Sequence, residues 1–247
     1  MIWRIEHFTE IDSTNTWVGA RARDGAEEGL VAVADFQRAG RGRMDRTWEA
    51  PSSSSLLCSI LVRPVLHTDE LQLVVAAVAL AARAAIVRLS AVRPSLKWPN
   101  DLIVGDAKLA GVLAEIVTSD AALGVVVGLG VNLTFDGPEN VNATSVRAQS
   151  GVTLTPSALL DIVLEELEPR RARLDTPEGR ETLRDEYRRA LVTIGQHVRI
   201  ERRSDVLVGV AVGVDASGQL LIDVDGVETV LSAGDVIHLR RLGEETS

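Results

Sequence analysis

The stretch from Leu71 to Leu89 is the most hydrophobic in the chain, and it constrains the fold more than any other feature. Only Gln72, Arg83 and Arg88 interrupt it, and its longest unbroken apolar run goes from Leu73 to Ala82. That run is half of the about 20 residues that a membrane span requires. A helix apolar around its whole circumference must be enclosed by other elements. The stretch therefore predicts a buried core helix over about Glu70 to Ser90, with a sizeable domain wrapped around it. The 247 residues supply one. At roughly 150 residues per domain they suggest one large domain, or a large one with a small companion. A chain of this size buries roughly 70% of its unfolded surface and needs neither disulfides nor a metal staple. The single cysteine, Cys58, has no partner in the chain, so a reducing, cytoplasmic setting is the expectation. The start of the chain, Met1 to His7, has no apolar segment of the kind a signal peptide needs.

The remaining segments sort into elements. Asp12 or Ser13 can N-cap a helix carrying Trp17 and Ala20 on one face. Leu30 to Phe36 reads as a strand. From Gln37 to Ser55 periodicity vanishes while Gly, Arg and Ser accumulate, which predicts a long loop; loops of that length are uncommon and usually functional. Leu56 to Val62 is a strand closed by Arg63-Pro64. Ser95 to Val104 is extended but broken at Trp98-Pro99-Asn100-Asp101, because proline cannot donate within a sheet. After a Gly105-Asp106 turn, Lys108 leads into a strand over Leu109 to Val117, and Ala122 to Val131 is apolar enough to be buried on both faces. Pro156 to Arg173 and Pro177 to Leu191 read as amphipathic helices with proline near their starts. Beyond them come short strands, Val198 to Ile200, Val206 to Val214, Leu220 to Val224 and Thr229 to Leu231, with Asp225-Gly226 as a hairpin turn. The expectation is an α+β domain over residues 1–190 followed by a small all-β domain over residues 191–247.

The formal net charge is −9. So acidic a chain argues against nucleic-acid binding as its main role, since phosphate contacts need positive patches. There is no phosphate-loop signature, and Gly128-x-Gly130 lacks the third glycine of a dinucleotide fingerprint. His7, His67, His197 and His238 lack metal-ligand spacing, and no Gly-x-Ser-x-Gly elbow supports a serine hydrolase.

Against this acidic background, residues 37–46 stand out. They read Gln37-Arg38-Ala39-Gly40-Arg41-Gly42-Arg43-Met44-Asp45-Arg46, with four arginines against one aspartate. Guanidinium forks match carboxylate and phosphate oxygens, so the loop suits an anion, though a solvated basic turn is the plainer alternative. A second cluster is Lys97-Trp98-Pro99-Asn100-Asp101 with Lys108-Leu109-Ala110-Gly111; a hairpin between them would bring Lys97, Asp101 and Lys108 together. Gly130-Val131-Asn132 ends the apolar strand with an amide suited to reading a base or carbonyl edge. An ordinary surface hairpin with a packed tryptophan is the plainer reading of this second group.

Together with Ser13-Thr14-Asn15, Gln37, Trp48 and Leu133, these segments resemble the motifs of biotin protein ligases, in order, over about residues 8 to 135. The resemblance implies a mixed-sheet catalytic domain related to class II aminoacyl-tRNA synthetases, followed by an SH3-like β-barrel. It implies a two-step reaction. Biotin and ATP give biotinyl-AMP and pyrophosphate, and a lysine of a biotin carboxyl carrier domain, from acetyl-CoA carboxylase or a related carboxylase, then takes the biotin. In this reading Lys108 holds the biotin carboxylate and the α-phosphate together. Arg41 and Arg43 neutralise phosphates and close over the adenylate. Ser13, Thr14, Asn15 and Gln37 surround the ureido ring, with Arg41, Gly42, Arg43 and Lys108 completing the biotin site. Arg43, Arg46, Asn100 and Asn132 serve the nucleotide. Trp17, Trp48 and Trp98 are each candidates for a pocket wall or for plain core. Mg²⁺ is expected with ATP, without assignable protein ligands, and a homodimer stays open.

Two departures from the family pattern concern the loop. Met44-Asp45 stands where a further glycine is usual, and Ser52-Ser53-Ser54-Ser55 replaces a glycine-containing segment. Both put the loop's closing motion in question. The motifs begin at residue 13, which implies a ligase-only form without a helix-turn-helix domain. Two other readings compete with this one. A lipoate ligase shares the adenylate chemistry, but its arginine and triple-glycine motif is absent here. A non-catalytic biotin or nucleotide sensor would have less use for Lys108 together with Arg41 and Arg43.

Overall fold

The computed structural model describes residues 2–118, 123–201, 206–232 and 235–238. In chain order the elements are β1 (Arg4–Ile11), α1 (Thr14–Arg23), β2 (Leu30–Gln37), β3 (Ser55–Val62), α2 (Leu71–Ser90), β4 (Ser95–Lys97), β5 (Asp101–Val104), β6 (Ala107–Thr118) and β7 (Leu123–Asn132). The helices α3 (Val146–Ser150), α4 (Pro156–Arg173) and α5 (Pro177–Ala190) follow, and then β8 (His197–Glu201), β9 (Val206–Val214), β10 (Leu220–Val224), β11 (Val227–Leu231) and β12 (Asp235–His238). The expected start of β7 at Ala122, and the end of the second domain beyond residue 238, lie outside the described residues.

The first seven strands form one sheet in the order β1-β2-β3-β7-β6-β5-β4. The β1–β2 pair is parallel and the others are antiparallel, so the sheet is mixed. Successive side chains of a strand face opposite ways. On β2, Leu30 and Ala32 pack with Val18 and Ala22 of α1, whereas Val31 and Val33 join the core around α2. The sheet is thus covered on both faces, which explains why β3 is buried at every position. Helix α2 lies between the sheet and α4 and α5. It is the single helix among the described residues long and apolar enough to cross a membrane, and 72% of that stretch is buried in this core.

The caps agree with the chemistry of the sequence. The Ser13 hydroxyl accepts from Thr16 N and starts α1, and the Thr155 hydroxyl accepts from Ala158 N just ahead of Pro156. Three elements escape the sequence reading: the exposed edge strand β1, the short α3, and β12.

The last five strands form a second, antiparallel sheet in the order β11-β10-β9-β8-β12. Asp225 and Gly226 turn the β10–β11 hairpin with φ of 53° and 85°. This sheet is docked on the segment between β4 and β5. Trp98 N donates to Thr193 Oγ1 at 3.0 Å, its indole Nε1 to Gly218 O at 3.3 Å, and Val192 N to Leu96 O at 2.9 Å. Trp98 is therefore almost fully buried, in the core shared by the two sheets.

Candidate active site

A cleft of about 590 Å³ opens between the N-terminus of α1, the 38–54 loop and the ends of β6 and β7. Ser13, Thr14, Asn15, Gln37, Arg41, Gly42, Arg43, Arg46, Asn100, Lys108 and Asn132 all line it. Residues from five separate segments of the sequence therefore share one cavity. Lys97, Trp48 and Trp98 line it as well, and Glu201 and Val236 contribute from the second sheet. Trp17 does not line it; its ring meets Phe8 edge-on at 5.1 Å and Arg21 lies over it.

One end of the cleft is polar and closely wired. Gln37 Oε1 accepts from Thr14 N at 2.8 Å and lies 3.0 Å from Thr14 Oγ1. The Thr14 hydroxyl lies 2.7 Å from Ser59 Oγ, and Ser59 donates to Asn15 Oδ1 at 2.6 Å. Asn15 Nδ2 then donates to Glu115 Oε2 at 2.9 Å. The approach of Asn15 needs Gly128, where a Cβ would stand 2.4 Å from Asn15 Oδ1. Ser59 and Glu115 were not singled out in the sequence; they sit 44 and 100 residues from Asn15, and no local pattern announces such partners.

The other end is basic. Lys108 Nζ stands 2.7 Å from Asp101 Oδ1, an ion pair out of hydrogen-bonding alignment, and 5.6 Å from the centre of the Trp48 ring. The β5–β6 hairpin brings the two partners together. Lys108 itself is held by its backbone: its N donates to Asn142 O and its O accepts from Thr144 N, both at 2.9 Å. The Asn132 amide donates to Thr144 O at 3.0 Å, which clamps the same junction. Arg43 donates to Asn100 Oδ1 at 3.2 Å, and Asn100 Nδ2 to Val112 O at 2.8 Å. Under this end, Gln72 Nε2 donates to Pro99 O and to the Tyr187 hydroxyl. Burial pushes the Tyr187 phenol well above its usual range, against smaller effects from the Gln72 bond and Arg43. Burial also pushes the Cys58 thiol on the cleft wall up to about 12, so it stays protonated at neutral pH and is no nucleophile.

The loop is more ordered than its composition suggests. Arg41 and Thr47 pair as a two-residue antiparallel bridge, Gly42 N donates to Arg46 O at 2.7 Å, and Arg46 N to Arg43 O at 3.2 Å. Met44 and Asp45 turn this small hairpin with φ of 54° and 60°, the signs of a type I′ turn. The serine run is also a turn: Ser53 has φ 59°, and Ser54 O accepts from Leu133 N and Thr134 N. Arg41 reaches across to Glu115, with NH2 to Oε1 at 2.8 Å and NH1 to Oε2 at 3.1 Å. Trp48 lies over the paired glycines Gly111 and Gly130, where a Cβ would come within 3.1 and 2.6 Å of its ring. Its buried indole N–H has no partner, which leaves a donor available at the cleft wall.

The fold and the site define a ligase of the class that joins cofactors to proteins: residues 8–132 match the Biotin/lipoate A/B protein ligase family, and residues 193–239 match the Biotin protein ligase C terminal domain. The biotin--[acetyl-CoA-carboxylase] ligase of Mycobacterium tuberculosis is 36% identical, across 96% of this chain and 90% of its own length. The bifunctional ligase/repressor BirA of Escherichia coli is 32% identical over 92% of this chain and 71% of its own. Among solved structures, the biotin protein ligase of Aquifex aeolicus in complex with biotin and ATP superposes with a TM-score of 0.82 at 25% identity, covering 97% of this chain and all of that one. The chain belongs to the biotin protein ligase family.

Proposed function

We infer that this chain activates biotin with ATP and transfers it to a lysine of a carboxylase's biotin carboxyl carrier domain. The observation that carries the reading is the division of one cleft into two unlike halves. A wired polar end holds Thr14, Asn15 and Gln37, backed by the buried Ser59, and a cationic end holds Lys108, Arg43 and Arg46. Biotin has the same division, with a ureido ring that needs paired donors and acceptors and a carboxylate that must meet a polyanion. In the first step a carboxylate oxygen attacks the α-phosphorus and pyrophosphate leaves. In the second the carrier amine attacks the acyl carbon and AMP leaves with the bonding electron pair. Two anions combine in the first step, so preorganised cations lower its barrier. We assign Lys108 to the junction of carboxylate and α-phosphate, and Arg41, Arg43 and Arg46 to the phosphates. Asn100 and Asn132 belong to the nucleotide end, and the Trp48 ring to the wall.

Mg²⁺ enters this account as part of the MgATP substrate. An ion that arrives with the nucleotide keeps its bonds to phosphate oxygens and water. The proposal includes a catalytic unit over residues 1–190, a C-terminal unit over residues 191–247, a cytoplasmic location, and neither DNA nor membrane as partner. The net charge of −9 supports the last point. The test is transfer. A purified carrier domain should gain biotin on one lysine with biotin and ATP, and its Lys→Arg variant should gain none. Equal labelling of the two would contradict transfer to a specific lysine.

A further inference from the structure

The loop arginine and the polar end of the cleft meet on one carboxylate. Glu115, on β6, accepts from Asn15 Nδ2 at 2.9 Å and receives the Arg41 guanidinium through both of its oxygens, at 2.8 and 3.1 Å. Asn15 and Arg41 line the cleft, while Glu115 does not. From Asn15 the chain of hydrogen bonds continues to Ser59, Thr14 and Gln37. A guanidinium held by a hydrogen bond from NH1 to Oε2 and an ion-pair contact from NH2 to Oε1 is directed at the carboxylate, and it keeps further N–H donors for a ligand. An amide whose Nδ2 is held by a carboxylate, and whose Oδ1 is held by a hydroxyl, has a single orientation.

We propose that Glu115 is a positioning residue for biotin activation: one carboxylate sets both the Asn15 amide at the ureido end and, beside it, the Arg41 guanidinium of the loop. The proposal rests on the functional reading above and adds a residue to it. Glu115 acts through Arg41 and Asn15 without touching the substrates, and its loss should therefore cost no more than the loss of the groups it aims.

The experiment measures pyrophosphate release with biotin and ATP for the intact chain, Glu115→Ala, Glu115→Gln, Arg41→Ala and the double variant Glu115→Ala/Arg41→Ala. Glu115→Ala should lower kcat/KM for biotin at least tenfold, with KM for biotin rising. Glu115→Gln should recover part of the loss, because one oxygen at the Oε2 position still serves both Asn15 and Arg41. In the Arg41→Ala background, Glu115→Ala should cost clearly less than it does alone, since one of its two clients has gone. Thermal melting of each variant separates this from loss of fold, which would lower kcat/KM without a rise in KM. Independent, multiplicative losses, or a Glu115→Ala enzyme within twofold of the parent, would overturn the positioning role. A parent chain that releases no pyrophosphate would instead overturn the functional reading itself.

Discussion

Gly130→Ala probes the cleft wall through a single methyl group. A Cβ on Gly130 would stand 2.6 Å from Trp48 Cε2 and 2.7 Å from Cζ2, whereas carbon atoms in contact sit about 3.5–4.0 Å apart. The ring must retreat by about 1 Å to restore contact distance. It cannot do so by a small tilt, because Trp48 N is bonded to Gly40 O at 3.0 Å and Gly111 lies beneath the other edge. Lys108 Nζ is already 5.6 Å from the ring centre, and the retreat takes it out of the roughly 6 Å range of a cation–π contact. Overpacking of a core costs about 1–3 kcal/mol, and the low end applies here because the ring belongs to a loop and is half-exposed. Misplacement of a binding wall by about 1 Å costs up to about a hundredfold in rate. The expected outcome is a melting temperature lower by only a few degrees, with pyrophosphate release down roughly ten- to a hundredfold. In a Trp48→Ala background the new methyl meets no ring, so Gly130→Ala should then change activity by less than about twofold. A single variant as active as the parent, or an equal loss in both backgrounds, would refute the argument that the glycines exist to seat this ring.

Lys108→Ala should keep the fold and lose adenylation, since leaving the buried Oδ1 of the part-buried Asp101 without its partner and removing the central cation costs about 2–5 kcal/mol, or roughly 30- to several-thousandfold; pyrophosphate release within threefold of the parent would contradict this. Met44→Gly removes a side chain from a left-handed position, where an L-residue costs about 1–2 kcal/mol, while adding roughly 0.5–1 kcal/mol of unfolded-state entropy. Tryptic cleavage after Arg43 or Arg46 should therefore slow slightly, and faster cleavage would show that Met44 holds the loop. Stability should fall as pH rises from 9 towards 12: the buried Cys58 thiol titrates at about 12 in the folded state against 9.0 unfolded, so the unfolded chain loses its proton first. Tyr187, also raised, adds in the same direction. Chemical denaturation of a Cys58→Ala variant should show a shallower alkaline decline, and an unchanged slope would assign it elsewhere.

What the sequence discloses and what it conceals follow one physical division. The core helix, both proline-started helices and the Asp225-Gly226 hairpin are legible because caps, turn chemistry and apolar runs are local signals. Strand β1 is not, since its residues from Arg4 to Ile11 are mostly exposed and show no period of two. The site divides in the same way. Motif residues that supply charge or amides were visible as clusters in the chain. The partners that aim them were not. Glu115 reads as an ordinary polar position in a strand, and Ser59 as a small residue in an apolar run. Their roles come from register, which sets β3, β7 and β6 side by side. Met44-Asp45 illustrates the converse. The pair was visible as a departure, but its consequence, a hairpin turn built from two left-handed residues, belongs to the backbone.

The central claim is that the cleft joins biotin to the α-phosphate of ATP. Pyrophosphate release by the purified chain, measured with MgATP and either biotin or lipoate in the absence of any carrier, tests it most directly. The account predicts a burst with biotin equal to about one pyrophosphate per active site, abolished in Lys108→Ala, and no release above background with lipoate. A burst with lipoate at least as large as with biotin, or none with either, would contradict it.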